Sequence, residues 1–243
     1  WLSPEEVEKT KDDGYRHKID NLKVIVGPSE AMSKSKKNII DPESMIKIYG
    51  ADAIRWFMLS DSPPERDLEW TESGVQGAWR FVNRVWRVVM QNLDCLPEAR
   101  TGVPTTFSDQ ALQIRKATHR TIKDVTNSLE TFRFNVGVAK LHELVNNLQD
   151  FTANDIGANW ALREGLEAIV RLVAPMMPHL AEELWRRLGH ENLVTEEPWM
   201  EPESDLIIKD PRALEKQINL IPGVLDNGIF AHCRPSKIII GKN

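Results

Sequence analysis

Thr71-Glu72-Ser73-Gly74-Val75-Gln76-Gly77-Ala78-Trp79-Arg80-Phe81-Val82-Asn83-Arg84-Val85-Trp86-Arg87-Val88-Val89-Met90-Gln91-Asn92-Leu93 is the stretch that decides the fold class. Val75, Trp79, Val82, Trp86, Val89 and Leu93 step through it by fours and threes, the period of an amphipathic helix. Arg80, Arg84 and Arg87 fall on another face. Trp79 and Trp86 lie within the apolar stripe and read as core rather than as base-stacking groups. Ser108-Asp109 opens a second helix that runs to Glu130, with Lys116, Arg120 and Lys123 on its polar side. Phe134, Val138, Leu141, Val145 and Leu148 mark a third helix. Leu162, Leu166, Ile169, Val170 and Val173 mark a fourth, and four amphipathic helices make a bundle. After Pro175 and Pro178 a short helix resumes from His179 to Leu188, ended by Gly189 as a left-handed cap.

Upstream the pattern changes. Val24-Ile25-Val26, closed by Gly27-Pro28, reads as a strand entering a turn, and a polar loop follows from Ser29 to Asn38. Asp41 can cap a helix with Pro42 at its first position, and Ile46, Ile48, Ala53, Ile54, Trp56, Phe57 and Leu59 suggest short helices around Gly50. Asp61 to Asp67, with two consecutive prolines, is a connector. Downstream, Asp210-Pro211 opens a helix through Leu220, Pro222-Gly223 turns it, and Ile229-Phe230 and Ile238-Ile239-Ile240 read as strands. The expected architecture is therefore mainly α: a small α/β piece at 1–70, a helical bundle at 71–205 and a short α/β tail at 206–243.

With 243 residues the chain can bury a core without disulfides or metals. Cys95 and Cys233 form neither a CxxC pair nor a zinc-ligand cluster, which points to a reducing, cytoplasmic setting and to no metal site. No apolar run approaches the roughly 20 residues that cross a bilayer, and Trp1-Leu2-Ser3-Pro4 is not a secretory signal. No membrane partner is expected. A net charge of −5 disfavours a general nucleic-acid coat but leaves room for local basic surfaces.

In Met32-Ser33-Lys34-Ser35-Lys36-Lys37 a lysine is flanked by hydroxyls. Such a loop can set an ammonium and backbone N–H donors around a polyphosphate. A solvated basic loop has the same composition, and these few residues alone do not choose between the two. Their surroundings do. The loop with Asn38, Asp41-Pro42, Tyr49-Gly50-Ala51-Asp52 and Arg55 resembles the KMSKS signature of class I aminoacyl-tRNA synthetases and the segment after it. Trp56-Phe57-Met58-Leu59-Ser60-Asp61-Ser62-Pro63-Pro64-Glu65-Arg66-Asp67 narrows the likeness to the leucyl family. Trp70, Gly77 to Val82 and Pro175-Met176-Met177-Pro178-His179-Leu180-Ala181-Glu182-Glu183-Leu184-Trp185 extend it through the bundle.

The resemblance implies adenylation of leucine by ATP, with Mg2+, and transfer to the terminal adenosine of leucine tRNA. It gives Lys34 a catalytic role at the ATP phosphates, with Met32, Ser33 and Ser35 completing the ATP loop, while Lys36 and Lys37 add positive potential. It makes 71–205 an anticodon-binding-type domain that holds tRNA mainly through its body, with Arg80, Arg84, Arg87, Lys116, Arg120 and Lys123 as candidate phosphate contacts. The same residues could be ordinary solvated faces. His179, beside Pro178, is read as a structural hydrogen-bonding group.

Two departures bear on function. Ala31 stands where the family has its first motif lysine, so slower adenylation is expected. The HIGH motif, leucine pocket, editing domain and most of the nucleotide-binding sheet are absent from these residues. They are expected to precede Trp1, to be partners of this chain, and to be required for activity. Beyond residue 205 the likeness fades, and Asp210 to Glu215, Ile221 to Val224 and Gly228-Ile229-Phe230 resemble the C-terminal end of ribose-5-phosphate isomerase, from which no site is carried over.

Overall fold

The long helices begin at the caps their sequences offer. In the computed structural model, which describes residues 2, 6–11, 14–28, 30–152, 155–207, 215, 216 and 218–220, Thr71 accepts from the Gly74 amide and opens α3, Glu72–Asn92. Ser108 does the same for Ala111 at α4, Asp109–Glu130, and Asp155 for Ala158 at α6, Ile156–Val173. Between them α5, Phe134–Asp150, follows a tight turn in which Phe132 takes a left-handed conformation. The helix α7, Pro178–Arg187, closes the bundle, and Gly189 has the positive φ expected of its cap. α4 packs on α5 and α6, and α7 packs on α6 and α3. Leu141, Leu144, Leu166 and Leu172 sit at the centre.

One detail of α3 corrects the sequence reading. Its buried arc is Val75, Ala78, Phe81, Val85, Val88 and Val89. Phe81 stacks on Trp56 at a centroid distance of 4.6 Å and an interplanar angle of 10°, and His142 tilts against the same ring at 3.9 Å. That aromatic stack fixes the rotation of α3 about its own axis. Trp86 is left half-buried against the core, and Trp79 is turned to the rim with 44% of its surface exposed. Trp79 is not a core residue.

The first seventy residues build a small antiparallel sheet and two short helices. The strands β1 Val7–Lys9, β2 Tyr15–His17 and β3 Lys23–Val24 lie in sequence order, with Val7 opposite His17 and Tyr15 opposite Val24. The expected strand at 24–26 is thus shorter than its apolar run: Ile25 and Val26 leave the sheet and are exposed. α1, Pro42–Tyr49, starts on Asp41, whose carboxylate accepts from the Glu43 and Ser44 amides. α2, Ala51–Ser60, follows Gly50, whose φ of 83° only glycine adopts without strain. α1 has no buried residue, whereas α2 buries Asp52, Ala53, Trp56 and Phe57. After α7 the chain runs back over the bundle to α8, Ser204–Ile207, which buries Leu206. Of the expected tail helix, residues 215, 216, 218 and 219 are helical; the strands at 229–230 and 238–240 and Cys233 lie outside the described residues. Cys95 is a free, exposed thiol.

Candidate functional site

The loop that follows β3 is closed by one side chain. Asn38 accepts from the Ser33 amide at 2.7 Å and donates to the Ala31 carbonyl at 3.3 Å, so the two arms of the loop are tied across its mouth. Inside it Lys34–Lys36 form a single 3-10 turn that starts at extended Ser33 and ends at Lys37 in the left-handed region. The Ser33 and Ser35 hydroxyls bond to each other at 2.8 Å, so both stand on one side of the turn. The three lysines differ in their surroundings. Lys36 is paired with Glu30, and the Lys37 ammonium lies 3.7 Å from Glu6. Lys34 is exposed and has no ion pair among the described residues. Of the candidate phosphate ligands, Ser33, Lys34 and Ser35 therefore share one turn and Met32 leads into it, and Lys34 is the loop lysine without a carboxylate partner among the described residues.

Beside the loop runs a cleft of about 680 Å³ lined by Ala31, Met32 and Asn38 of the loop and by Asp67, Leu68 and Trp70 of the stretch leading into α3. Ala31 puts a methyl group on this wall, where a lysine would have set a cation facing Asp67 and Glu69.

The segment after the loop is fastened to the helical bundle. Asp52, in the first turn of α2, accepts from the Leu180 amide at 2.7 Å and bonds His179 Nδ1 at 2.8 Å. The N-terminus of α7 carries no cap of its own, so Asp52 supplies it from across the fold. Three residues on, Arg55 donates from Nε to the Met176 carbonyl at 3.0 Å and from its terminal nitrogen to the Pro175 carbonyl at 2.8 Å. His179 thus has a structural hydrogen bond. Its acid partner, 127 positions away in the chain, was invisible at sequence spacing. A clue was present: Asp52 falls among the buried residues of α2, and a charge on a buried face implies a built partner.

The basic residues of the bundle fall into separate places. Arg80, Arg84 and Arg87 line one groove of about 390 Å³ with Trp79, Asn83 and Gln149. Arg84 is held there by Gln149 at 2.8 Å and by Asn146, both on α5. Arg120 lines a second groove with Asn147 and Asp150, so the C-terminal half of α5 lies between the two grooves. Lys116 and Lys123 line neither.

A further polar cluster joins α4, α6 and the returning strap. Arg115 grips Glu164 in bidentate fashion at 2.9 and 3.0 Å and reaches Glu203 at 2.9 Å. His119 Nδ1 accepts from the Glu203 amide, which leaves the proton on Nε2 to donate to Glu164 at 3.1 Å. His119, Glu164 and Glu203 come close enough together to suggest a metal site. The guanidinium already fills the position of a cation and both histidine nitrogens are engaged, so the cluster is a packing network. Burial pushes the Glu164 carboxyl up, but the bonds from His119 and Arg115 outweigh this and hold it below the usual carboxylate range.

Comparison with known proteins places these features. The family described as tRNA synthetases class I (I, L, M and V) matches residues 10–71, and the anticodon-binding domain of tRNA ligase matches residues 112–227. A leucine–tRNA ligase of Paramagnetospirillum magneticum is 49% identical over 219 residues, covering 90% of this chain and 25% of the relative. One of Maricaulis maris is 47% identical over 222 residues with the same coverage. Among solved structures, an Agrobacterium radiobacter LeuRS in a ternary complex with tRNA and LeuAMS superposes with a TM-score of 0.67 at 29% identity, over 73% of this chain and 23% of that one. The chain spans about a quarter of the length of the curated relatives it matches. Among the described residues no helix is long and apolar enough to cross a membrane.

Proposed function

Since this chain belongs to the leucyl family of class I aminoacyl-tRNA synthetases, we propose that it supplies the ATP-phosphate loop and the tRNA-docking body of an ATP-dependent leucine–tRNA ligase. In that reading residues 1–70 end the nucleotide-binding domain, residues 71–205 form the tRNA-binding domain, and the HIGH motif and leucine pocket come from sequence outside this chain. The whole acts in the cytoplasm.

The observation that carries the reading is the contrast among the loop lysines: two are neutralised by carboxylates, and Lys34 alone keeps an exposed, unmatched charge among the described residues. A polyphosphate fits such a turn. The Lys34 ammonium takes a terminal phosphate oxygen, the Ser33 and Ser35 hydroxyls stand beside it, and Asn38 holds the turn in shape while the ligand binds. When the leucine carboxylate attacks the α-phosphorus, negative charge moves onto the departing pyrophosphate. A positioned ammonium lowers the barrier because it is stronger against that charge than against the ground state. Mg2+ enters with the ATP phosphates. The Asp52 and Arg55 contacts then hold the bundle, and with it the docked tRNA, in fixed relation to the loop.

The test is leucine-dependent ATP–pyrophosphate exchange by the chain joined to the preceding part of its enzyme. Lys34→Ala should lower kcat by about a hundredfold or more, the usual effect of deleting one preorganised donor. Lys36→Ala should cost far less. Equal losses from the two variants would sink the assignment of Lys34. The chain alone is expected to give no exchange.

A further inference from the structure

Trp79 is the aromatic residue that the sequence period assigned to the core and the fold turned outward. It is 44% exposed, yet it does not belong to an apolar patch of the kind that recruits proteins. The groove it lines is otherwise made of Arg80, Asn83, Arg84, Arg87 and Gln149. There is no carboxylate on that wall, in a chain whose net charge is −5. Arg84 is immobilised by the Asn146 and Gln149 amides, while Arg80 and Arg87 have no ion pair among the described residues. Arg80 follows Trp79 directly on α3 and Arg87 lies about 12 Å further along the axis, so two cations without an ion pair among the described residues run from the ring along one side of the groove.

We propose that this groove is a base-stacking RNA site, in which the Trp79 indole takes an unpaired base of the tRNA while Arg80 and Arg87 hold phosphates of the strand that runs on along the groove. The proposal deepens the tRNA-docking reading and rests on it. A flat aromatic face with guanidinium groups beside it is suited to a ligand that is planar and carries negative charge beside its ring. A nucleotide has both properties, and every base has a π-face, so stacking needs no sequence readout. A docking protein segment would need apolar neighbours, and the groove gives it arginine and amide side chains. Arg84 acts as a positioning residue: its bonds to Asn146 and Gln149 tie α3 to α5 along the groove.

The experiment is binding of leucine tRNA to this chain across a salt series, with Trp79→Ala, Trp79→Phe and an Arg80→Gln/Arg87→Gln variant beside the parent. Trp79→Ala should weaken binding about tenfold, the usual loss on removing one stacked ring, with an unchanged dependence on salt. Trp79→Phe should keep most of the affinity. The arginine variant should weaken binding and flatten the salt slope by about 0.7–0.9 for each phosphate it no longer neutralises. If both Trp79 variants bind as the parent does while the arginine variant weakens, the stacking site is overturned and tRNA docking stands. Should the parent itself show no binding that weakens with salt, the docking reading falls and takes this proposal with it. A third outcome also overturns it: Trp79→Ala keeps its RNA affinity but loses association with the preceding part of the enzyme, which would make the groove a protein interface.

Discussion

Replacing Asp52 with alanine isolates the contact that joins the loop segment to the bundle. The carboxylate makes two bonds of different worth. Its bond to the Leu180 amide is buried and is the cap of α7; its bond to His179 reaches a side chain that is 76% exposed. A buried backbone donor left without a partner costs about 1–3 kcal/mol, and a lost N-cap about 0.5–2 kcal/mol. These two ranges describe the same amide, so the expected loss is about 2 kcal/mol and not their sum. The exposed imidazole adds less than about 1 kcal/mol. For a chain of this size each kcal/mol moves Tm by about 2–4 °C, which puts Asp52→Ala about 4–8 °C below the parent. Urea unfolding followed by tryptophan fluorescence gives the energy directly. Asp52→Asn, whose amide oxygen can still accept from Leu180, should fall between the two. If Asp52→Ala lies within about 0.5 kcal/mol of the parent, or if His179→Ala costs as much, the cap is not what Asp52 supplies.

Three more outcomes follow from the packing and charges. A methyl group on Gly165 would come within 2.5 Å of Leu148 Cδ2 and 3.2 Å of Thr118 Oγ1, where α4, α5 and α6 meet. Gly165→Ala should therefore lose about 1 kcal/mol in urea, since overpacking of about 1–3 kcal/mol exceeds the ~1 kcal/mol helix gain of alanine; Leu148→Val in the same chain should recover part of it. Acidification should destabilise the fold in two windows. Burial, aided by the Arg84 charge, holds the His142 imidazole below its ordinary 6.5, so the unfolded chain takes up a proton there that the fold refuses, and stability drops as pH falls from that value. Glu164, held below 4.5, contributes stability that is complete above that pH and is lost as pH falls further. Thermal scans of His142→Gln and Glu164→Gln should each lose one slope and keep the other. Lastly, Ala31→Lys in the completed enzyme should raise the exchange rate, by up to about a hundredfold if the new cation reaches a phosphate; an unchanged rate would mean that the wall facing Asp67 and Glu69 has no part in catalysis.

Much of the helical architecture was legible because caps and periodicity agree. Thr71 and Ser108 start helices where the apolar period starts, and Gly189 ends one where it stops, whereas α6 starts from its cap Asp155, within the Asn/Gly-rich stretch 154–158 that reads as a break and ahead of the apolar period at Leu162. The rotation of α3 was not legible. Val75 to Leu93 contains two overlapping apolar stripes, and the choice between them is made by Trp56 and His142, which come from other elements and stack on Phe81. The same holds for the strand at 24–26. Three apolar residues in a row specify a strand only if something covers them, and Ile25 and Val26 are uncovered in this chain. At the site, the loop was readable as a motif. The sorting of its lysines was not, because Glu6 meets Lys37 only once β1 has folded beside the loop. Asp52 with His179 and Arg55 with Pro175 were beyond reach for a similar reason: each pair is separated by more than a hundred positions, and nothing local marks the partner.

The break at Gly50 has a consequence for how opening is distributed along the chain. The α1 side of that glycine has no buried residue and the α2 side is sealed under Phe81 and capped onto α7, so the free energy needed to expose an amide changes abruptly there. In native-state hydrogen exchange, amides from the loop through Tyr49 should trade deuterium by small local openings. Those from Ala53 into α3 should wait for unfolding of the whole bundle. A polyphosphate bound to the loop would then reveal itself as protection that spreads through α1 and stops at Gly50.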